Sequence, residues 1–273
     1  MTIAELQRLI GAKKFAPVYL IYGEEDYLVE ESSTLIVNAA LGTSERSFNY
    51  SQIDGKNSSG GEVVATASSF PMMGDRKVVV VNDFNELTFT EEEKELFARY
   101  IEKPLQSTVL ILIAPTVDFR RKLYLDCKKY AEVIECKKLK PNQIFEWIED
   151  VLKESKKYIE SAAMELLIAS VGESLNALKN ELDKLVNFIG EKNTITIDNV
   201  SEIVGIAKEF TIFELIKALG EKDVQRSLMI LNRMLELGES PQGMIVMITR
   251  FYTQLWRLDE LRRQHRSDNE IAT

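Results

Sequence analysis

Three short runs of wholly apolar residues constrain this chain more than any other feature of its sequence. They are Val18-Tyr19-Leu20-Ile21-Tyr22 after Pro17, Val78-Val79-Val80-Val81, and Val109-Leu110-Ile111-Leu112-Ile113-Ala114. Each is too short for a helix and rich in β-branched or aromatic residues, and each meets a breaker at its end: Gly23, Asn82-Asp83 and Pro115. A strand that is apolar on both faces must be covered on both faces, which is the habit of a parallel sheet. Helical segments separate the runs. Leu28, Leu35, Ile36 and Ala39 repeat at helix spacing between Tyr27 and Leu41, and Thr90 opens another helix with Glu93 as its capping-box partner. Phe48 to Ile53 alternates like a strand, and Ala131 to Cys136 predicts the last one. Residues 1–139 therefore read as an α/β domain with a parallel sheet.

From Pro141 onward the strand signal vanishes. Pro141 suits a first helical turn, and Ile144, Phe145, Ile148 and Leu152 line one face after it. Further helices are predicted from Ser161 through Ile168 and from Ser174 through Phe188, with a brief extended piece from Thr194 to Ile197 and a short helix near Val200. These make a small three-helix unit, 140–207. A third region, 208–273, has helix starts at Thr211 (with Glu214), Asp223 and Ser240-Pro241. Two or three helices are few for an independent core.

Composition narrows the function classes. An apolar share of 45% and a charged share of 28% are those of a globular chain. No apolar run approaches the roughly 20 residues of a membrane helix, and Met1-Thr2-Ile3-Ala4-Glu5 lacks the basic and apolar regions of a signal peptide. A soluble cytoplasmic protein is expected, with Cys127 and Cys136 as its only thiols and no metal site. With 34 Lys+Arg against 43 Asp+Glu, the net charge of −9 argues against strong independent binding to nucleic acid.

Catalytic chemistry finds little support. A strand running into Gly23 and then a helix is where an α/β sheet would place a phosphate loop. Such a loop needs G-x-x-x-x-G-K-[ST], whereas here Gly23 is followed by Glu24, Glu25 and Asp26, with no Lys-Ser or Lys-Thr. Phosphate would meet like charge at that turn. Asp83, after the second run, reads as a turn or cap residue before it reads as a metal ligand. The one histidine, His265, lies on a charged helix end. No catalytic residue, cofactor or metal is expected.

Two features lie outside the regular elements. Phe70-Pro71-Met72-Met73 sits in a connection between Ser68-Ser69 and Gly74-Asp75-Arg76-Lys77. It reads either as core covering the sheet edge or as an apolar wedge for a partner's pocket, a role that suits the adaptable Met side chain. Arg120-Arg121-Lys122, with Lys128-Lys129 and Lys137-Lys138 further on, reads as a solvated face or as a phosphate contact that needs partner chains.

Three local patterns together resemble the delta subunit family of the bacterial DNA polymerase III clamp loader. They are Tyr19-Leu20-Ile21-Tyr22-Gly23-Glu24-Glu25, the segment from Phe70 to Val80, and Val171-Gly172-Glu173-Ser174-Leu175 followed by Leu178-Lys179-Asn180-Glu181-Leu182-Asp183-Lys184-Leu185. The last is the most specific. The resemblance spans essentially the whole chain and implies an AAA+-like α/β domain with a degenerate P-loop over 1–139, a helical lid over 140–207, and an all-α collar over 208–273 that is expected to be partial. It also implies a subunit that hydrolyses no ATP by itself, within a DNA-directed DNA polymerase (nucleotidyltransferase) complex. Such a subunit binds the β sliding clamp and helps open the ring for loading onto primed DNA. Carried over by position, the clamp-binding residues are Phe70, Pro71, Met72 and Met73; the Met-Met pair departs from the aromatic or Leu-Phe residues of many members. Other implied partners are the tau/gamma and delta-prime subunits, with DNA met only inside the assembled complex, at Arg120, Arg121 and Lys122, and no membrane. The Ser-Arg-Cys finger of the partner subunits is absent here. The competing reading is a divergent AAA+ or P-loop ATPase of DNA metabolism, which would need a phosphate-gripping lysine near Gly23.

Overall fold

The computed structural model describes residues 3–72, 74–204 and 212–263. They pack as two compact units, 1–139 and 140–273.

The first unit runs α1 (Ile3–Gly11), β1 (Val18–Gly23), α2 (Asp26–Ala40), α3 (Arg46–Asn49), β2 (Tyr50–Asp54), α4 (Gly60–Ala67), β3 (Lys77–Asn82), a 3-10 turn (Phe84–Glu86), α5 (Glu91–Glu102), β4 (Thr108–Ala114), α6 (Lys122–Tyr130) and β5 (Glu132–Cys136). All five strands pair in parallel, in the order β2-β3-β4-β1-β5. The three apolar runs are its central strands, and burial follows their alternation. Val18, Leu20, Val79, Val81, Leu110 and Leu112 face a layer built from Val63, Ala67, Phe97, Ile101, Tyr124 and Cys127 of α4, α5 and α6. Tyr19, Ile21, Val78, Val80, Val109 and Ile111 are equally buried, and α2 packs on β1, β3, β4 and β5.

Two sequence expectations change here. Phe48 to Ile53 is not one strand: Arg46–Asn49 forms a single helical turn, and pairing begins at Tyr50. The reason is the side chain of Asn49, which is completely buried and bonded elsewhere, as described below. Helix α4 carries almost no helix signal, since its sequence is Gly60-Gly61-Glu62-Val63-Val64-Ala65-Thr66-Ala67. It forms because Ser59 Oγ accepts from the Glu62 N–H and because Val63, Val64 and Ala67 are driven into the core.

The second unit runs α7 (Pro141–Glu154), β6 (Tyr158–Ile159), α8 (Ser161–Val171), α9 (Leu175–Ile189), β7 (Thr194–Ile195), α10 (Ile197–Val204), α11 (Ile212–Gly220), α12 (Val224–Glu236) and α13 (Pro241–Arg263). Strands β6 and β7 pair in parallel. Leu175, Leu178, Leu182 and Leu185 of α9 form a buried stripe, while Lys179–Asp183 and Lys184–Glu181 pair along its surface. Helix α13 also meets α8: the Arg250 guanidinium pairs with Glu165 at 2.8 Å, and a Cβ on Gly243 would sit 2.8 Å from the Ala169 carbonyl. Residues 205–211 lie outside the described residues, and with them the 207/208 boundary and the Thr211 helix start. His265 does too. Among the described residues, no helix is long and apolar enough to cross a membrane.

Candidate functional site

The connection from α4 to β3 leaves the core at Ala67 and returns at Lys77. Its departure is fixed by the Tyr100 hydroxyl, which donates to the Ala67 carbonyl at 3.2 Å, and by Ser69 Oγ, which donates to the Thr66 carbonyl at 2.7 Å. At its return, Lys77 Nζ reaches across to Ser69 Oγ at 2.5 Å, and the Lys77 N–H donates to the Ser107 carbonyl. Partial burial holds the Lys77 ammonium below the usual lysine range. Arg76 stacks over the Phe15 ring at 4.6 Å, which ties the same end of the loop to the segment before β1.

The middle of the loop is held by one side chain. Asn49 Nδ2 donates to the Met72 carbonyl at 2.7 Å, and the Met72 N–H donates to Asn49 Oδ1 at 2.6 Å. A primary amide can satisfy both backbone groups of one residue, and a buried amide must find such partners. Gly74 lets the chain come this close: a Cβ there would lie 2.7 Å from Glu45 Oε1 and 3.0 Å from Asn49 Nδ2. Glu45 is itself held by the Gly42 N–H, which donates to Oε2 at 2.8 Å.

With its backbone fastened inward, the loop turns its apolar side chains outward. Phe70 is 74% exposed and Met72 60% exposed, so neither belongs to the core of the sheet. Pro71 is half-buried between them, and Met73 lies outside the described residues. Asn49 is the residue that sequence reasoning missed. Its signal was a polar side chain at a position that should be buried, in the middle of an otherwise strand-like alternation.

The turn after β1 lies where the connections of β1 and β4 leave in opposite directions, the place where open α/β sheets bind ligands. Here the turn is tied to the end of β5. The Glu25 N–H donates to the Cys136 carbonyl at 3.1 Å, and a Cβ on Gly23 would overlap that carbonyl at 2.0 Å. Tyr22 packs edge-on against Phe119 with ring centroids 5.6 Å apart. Burial, then the neighbouring Asp26, pushes the Glu25 carboxyl above the ordinary glutamate range. Asp83 stands at a left-handed turn, φ +48°, and pairs with Lys56 Nζ at 2.7 Å. Among the described residues, no three His, Cys, Asp or Glu side chains gather as metal ligands.

Arg120, Arg121 and Lys122 are exposed at the start of α6. Arg120 is bonded to Asp118, whose carboxyl is held down at about 2 by that guanidinium, and Arg121 lies over the Tyr124 ring at 5.8 Å. Cys127 and Cys136 are free and buried, too far into the core to act as nucleophiles.

Comparison with known proteins gives the same family from both ends of the chain. The family described as "DNA polymerase III, delta subunit" matches residues 19–137, and "DNA polymerase III delta subunit, C-terminal domain" matches 209–273. The DNA polymerase III subunit delta of Bacillus subtilis is 29% identical over 265 residues, covering 94% of this chain and 76% of that protein. The Aquifex aeolicus protein named "Probable DNA polymerase III subunit delta" is 22% identical over 254 residues, covering 89% of this chain and 71% of that one. Among solved structures, the Bacillus subtilis DNA clamp loader delta protein matches with a TM-score of 0.66 at 28% identity, over 99% of this chain and 82% of that chain. A parallel α/β unit followed by helices, one family recognised in both halves, and a solved delta structure aligned along nearly the whole length lead to one conclusion: the chain belongs to the DNA polymerase III delta subunit family.

Proposed function

We propose that this chain is a clamp-loader arm that docks Phe70, Pro71, Met72 and Met73 in an apolar pocket of the β sliding clamp and thereby favours the open ring. One observation carries the reading: two large apolar side chains stand in solvent on a loop whose backbone is fastened on both sides. Exposed apolar groups on an ordered loop are a cost in the free protein and a gain once covered. Burying a Phe or Met side chain contributes on the order of 1.5–3 kcal/mol each, enough for a small hot spot.

The chain does this without nucleotide; the acidic Glu24, Glu25 and Asp26 after Gly23, with no Lys-Ser or Lys-Thr to follow, support that reading. No observation favours the ATPase reading. Residues 208–273 serve as a collar that joins the tau/gamma and delta-prime subunits; the exposed Val224, Leu228, Met229, Ile245, Val246 and Trp256 on α12 and α13 support that role. Residues 140–207 are the lid. Arg121 and Lys122 meet primed-DNA phosphate only in the assembled cytoplasmic loader, with Arg120 contributing less because Asp118 already pairs with it.

The deciding experiment is surface plasmon resonance of the purified chain on the sliding clamp of the same organism, without nucleotide. Binding that is lost in a Met72→Ala/Met73→Ala chain with an unchanged circular dichroism spectrum supports the wedge. Unchanged affinity in that chain refutes it, and measurable ATP binding would revive the divergent ATPase.

A further inference from the structure

We infer that Asn49 is the positioning residue of the α4–β3 loop: by gripping both backbone groups of Met72, it sets the loop's conformation and so the presentation of Phe70 and Met72. The inference rests on the docking role proposed above, and it adds a buried residue far from the loop in sequence. Asn49 is completely buried, at the end of the one-turn helix α3 against the edge strand β2. Its amide mimics the paired donor and acceptor of a neighbouring strand at 2.7 and 2.6 Å, so Met72 is paired as if it lay in a sheet while its side chain faces solvent. Such a bond pair is made only when Met72 occupies one position relative to β2.

Two further details point the same way. Gly74 is the residue whose Cβ would strike both Asn49 Nδ2 and Glu45 Oε1, so the loop's second arm is shaped to the same amide. The loop's remaining ties, at Ala67, Ser69, Arg76 and Lys77, all lie at its two ends. Between them, among the described residues, the Asn49 amide is the only side chain that bonds to the loop's backbone. A preorganised loop avoids the ordering cost that a free one would meet on docking.

The test measures two things in the full chain: amide hydrogen exchange at Met72, and affinity for the sliding clamp. In Asn49→Ala, the Met72 amide is expected to exchange at least about tenfold faster, and clamp affinity to fall about tenfold, as the loss of two hydrogen bonds implies. Thermal unfolding reports whether the fold survives. Gly74→Ala serves as the second variant, since it displaces the loop while leaving Asn49 in place, and it should show the same pair of effects. In a double-mutant cycle, Asn49→Ala is expected to cost little further in a chain whose binding is already weakened by Phe70→Ala and Met72→Ala together, because a positioning residue acts only through the side chains it presents. Unchanged Met72 exchange in Asn49→Ala overturns the inference whatever the clamp does. Faster exchange with unchanged clamp affinity overturns it as well, and leaves the wedge standing. Should Met72→Ala and Phe70→Ala both bind the clamp like the unaltered chain, the docking reading fails, and the exchange measurement alone decides whether Asn49 orders the loop.

Discussion

Single residues in this fold are held in states they do not keep in water, and pH exposes them. Burial pushes the Cys127 thiol up to about 12 and the Cys136 thiol up to about 11, from an ordinary 9.0. It pushes the Tyr100 hydroxyl up to about 12 from 10.0. Raised values mean that the folded chain keeps protons the unfolded chain gives up first. Their contribution to stability is whole below about pH 9 and falls as pH climbs toward 11–12, at about 1.4 kcal/mol per pH unit for each group in that window. The urea midpoint should therefore be lower at pH 10 than at pH 7, and a Cys127→Ala/Cys136→Ala chain should show a smaller drop. At this scale the sequence was a poor guide. Two thiols in two different elements raised no expectation of a metal site. Nothing near Asn49 announces that its partner is Met72, because the two are joined through space across the whole of β2 and α4.

Elements were legible where packing and capping agreed with local propensity. The central strands, the helix opened by Thr90 and the Leu stripe of α9 all follow from periodicity and caps visible in the sequence. Helices α3 and α4 were hidden because tertiary packing and bonding create them. The capping of α5 goes beyond the sequence expectation. Glu93 accepts from the Thr90 N–H at 2.8 Å, as a capping box requires, but also from Ser59 Oγ at 2.8 Å and the Gly61 N–H at 3.1 Å. One carboxylate thus closes the N-termini of both α4 and α5. These bonds hold it below the ordinary glutamate range, led by the Thr90 N–H, so its contribution is present near neutrality and lost as pH falls through that lowered value. Thr90→Ala should cost about 1 kcal/mol, the usual worth of an N-cap. Glu93→Ala should lower the thermal midpoint further than Thr90→Ala at pH 7, since it frees donors on two helices. The gap between the two variants should narrow in acid. Scanning calorimetry at pH 7 and pH 3.5 measures both.

For the molecule as a whole, the balance of charge decides which partners it can hold alone. A net charge of −9 opposes a polyanion everywhere except at local basic groups such as Arg121 and Lys122. The isolated chain should show no DNA binding by fluorescence anisotropy at physiological salt. In the assembled loader, replacing Arg121 and Lys122 by Ala should reduce the salt slope of DNA binding by roughly one for each phosphate that is no longer neutralised. An unchanged slope would remove these residues from the DNA path. The turn after β1 has a consequence of its own. Its acidic side chains could be exchanged one codon at a time, but the bond from the Glu25 N–H to the Cys136 carbonyl runs from backbone to backbone, and a change of side chain leaves both groups in place. That tie joins the N-cap of α2 to the last residue of β5, so a shift of the edge strand against β1 would carry the start of the helix with it.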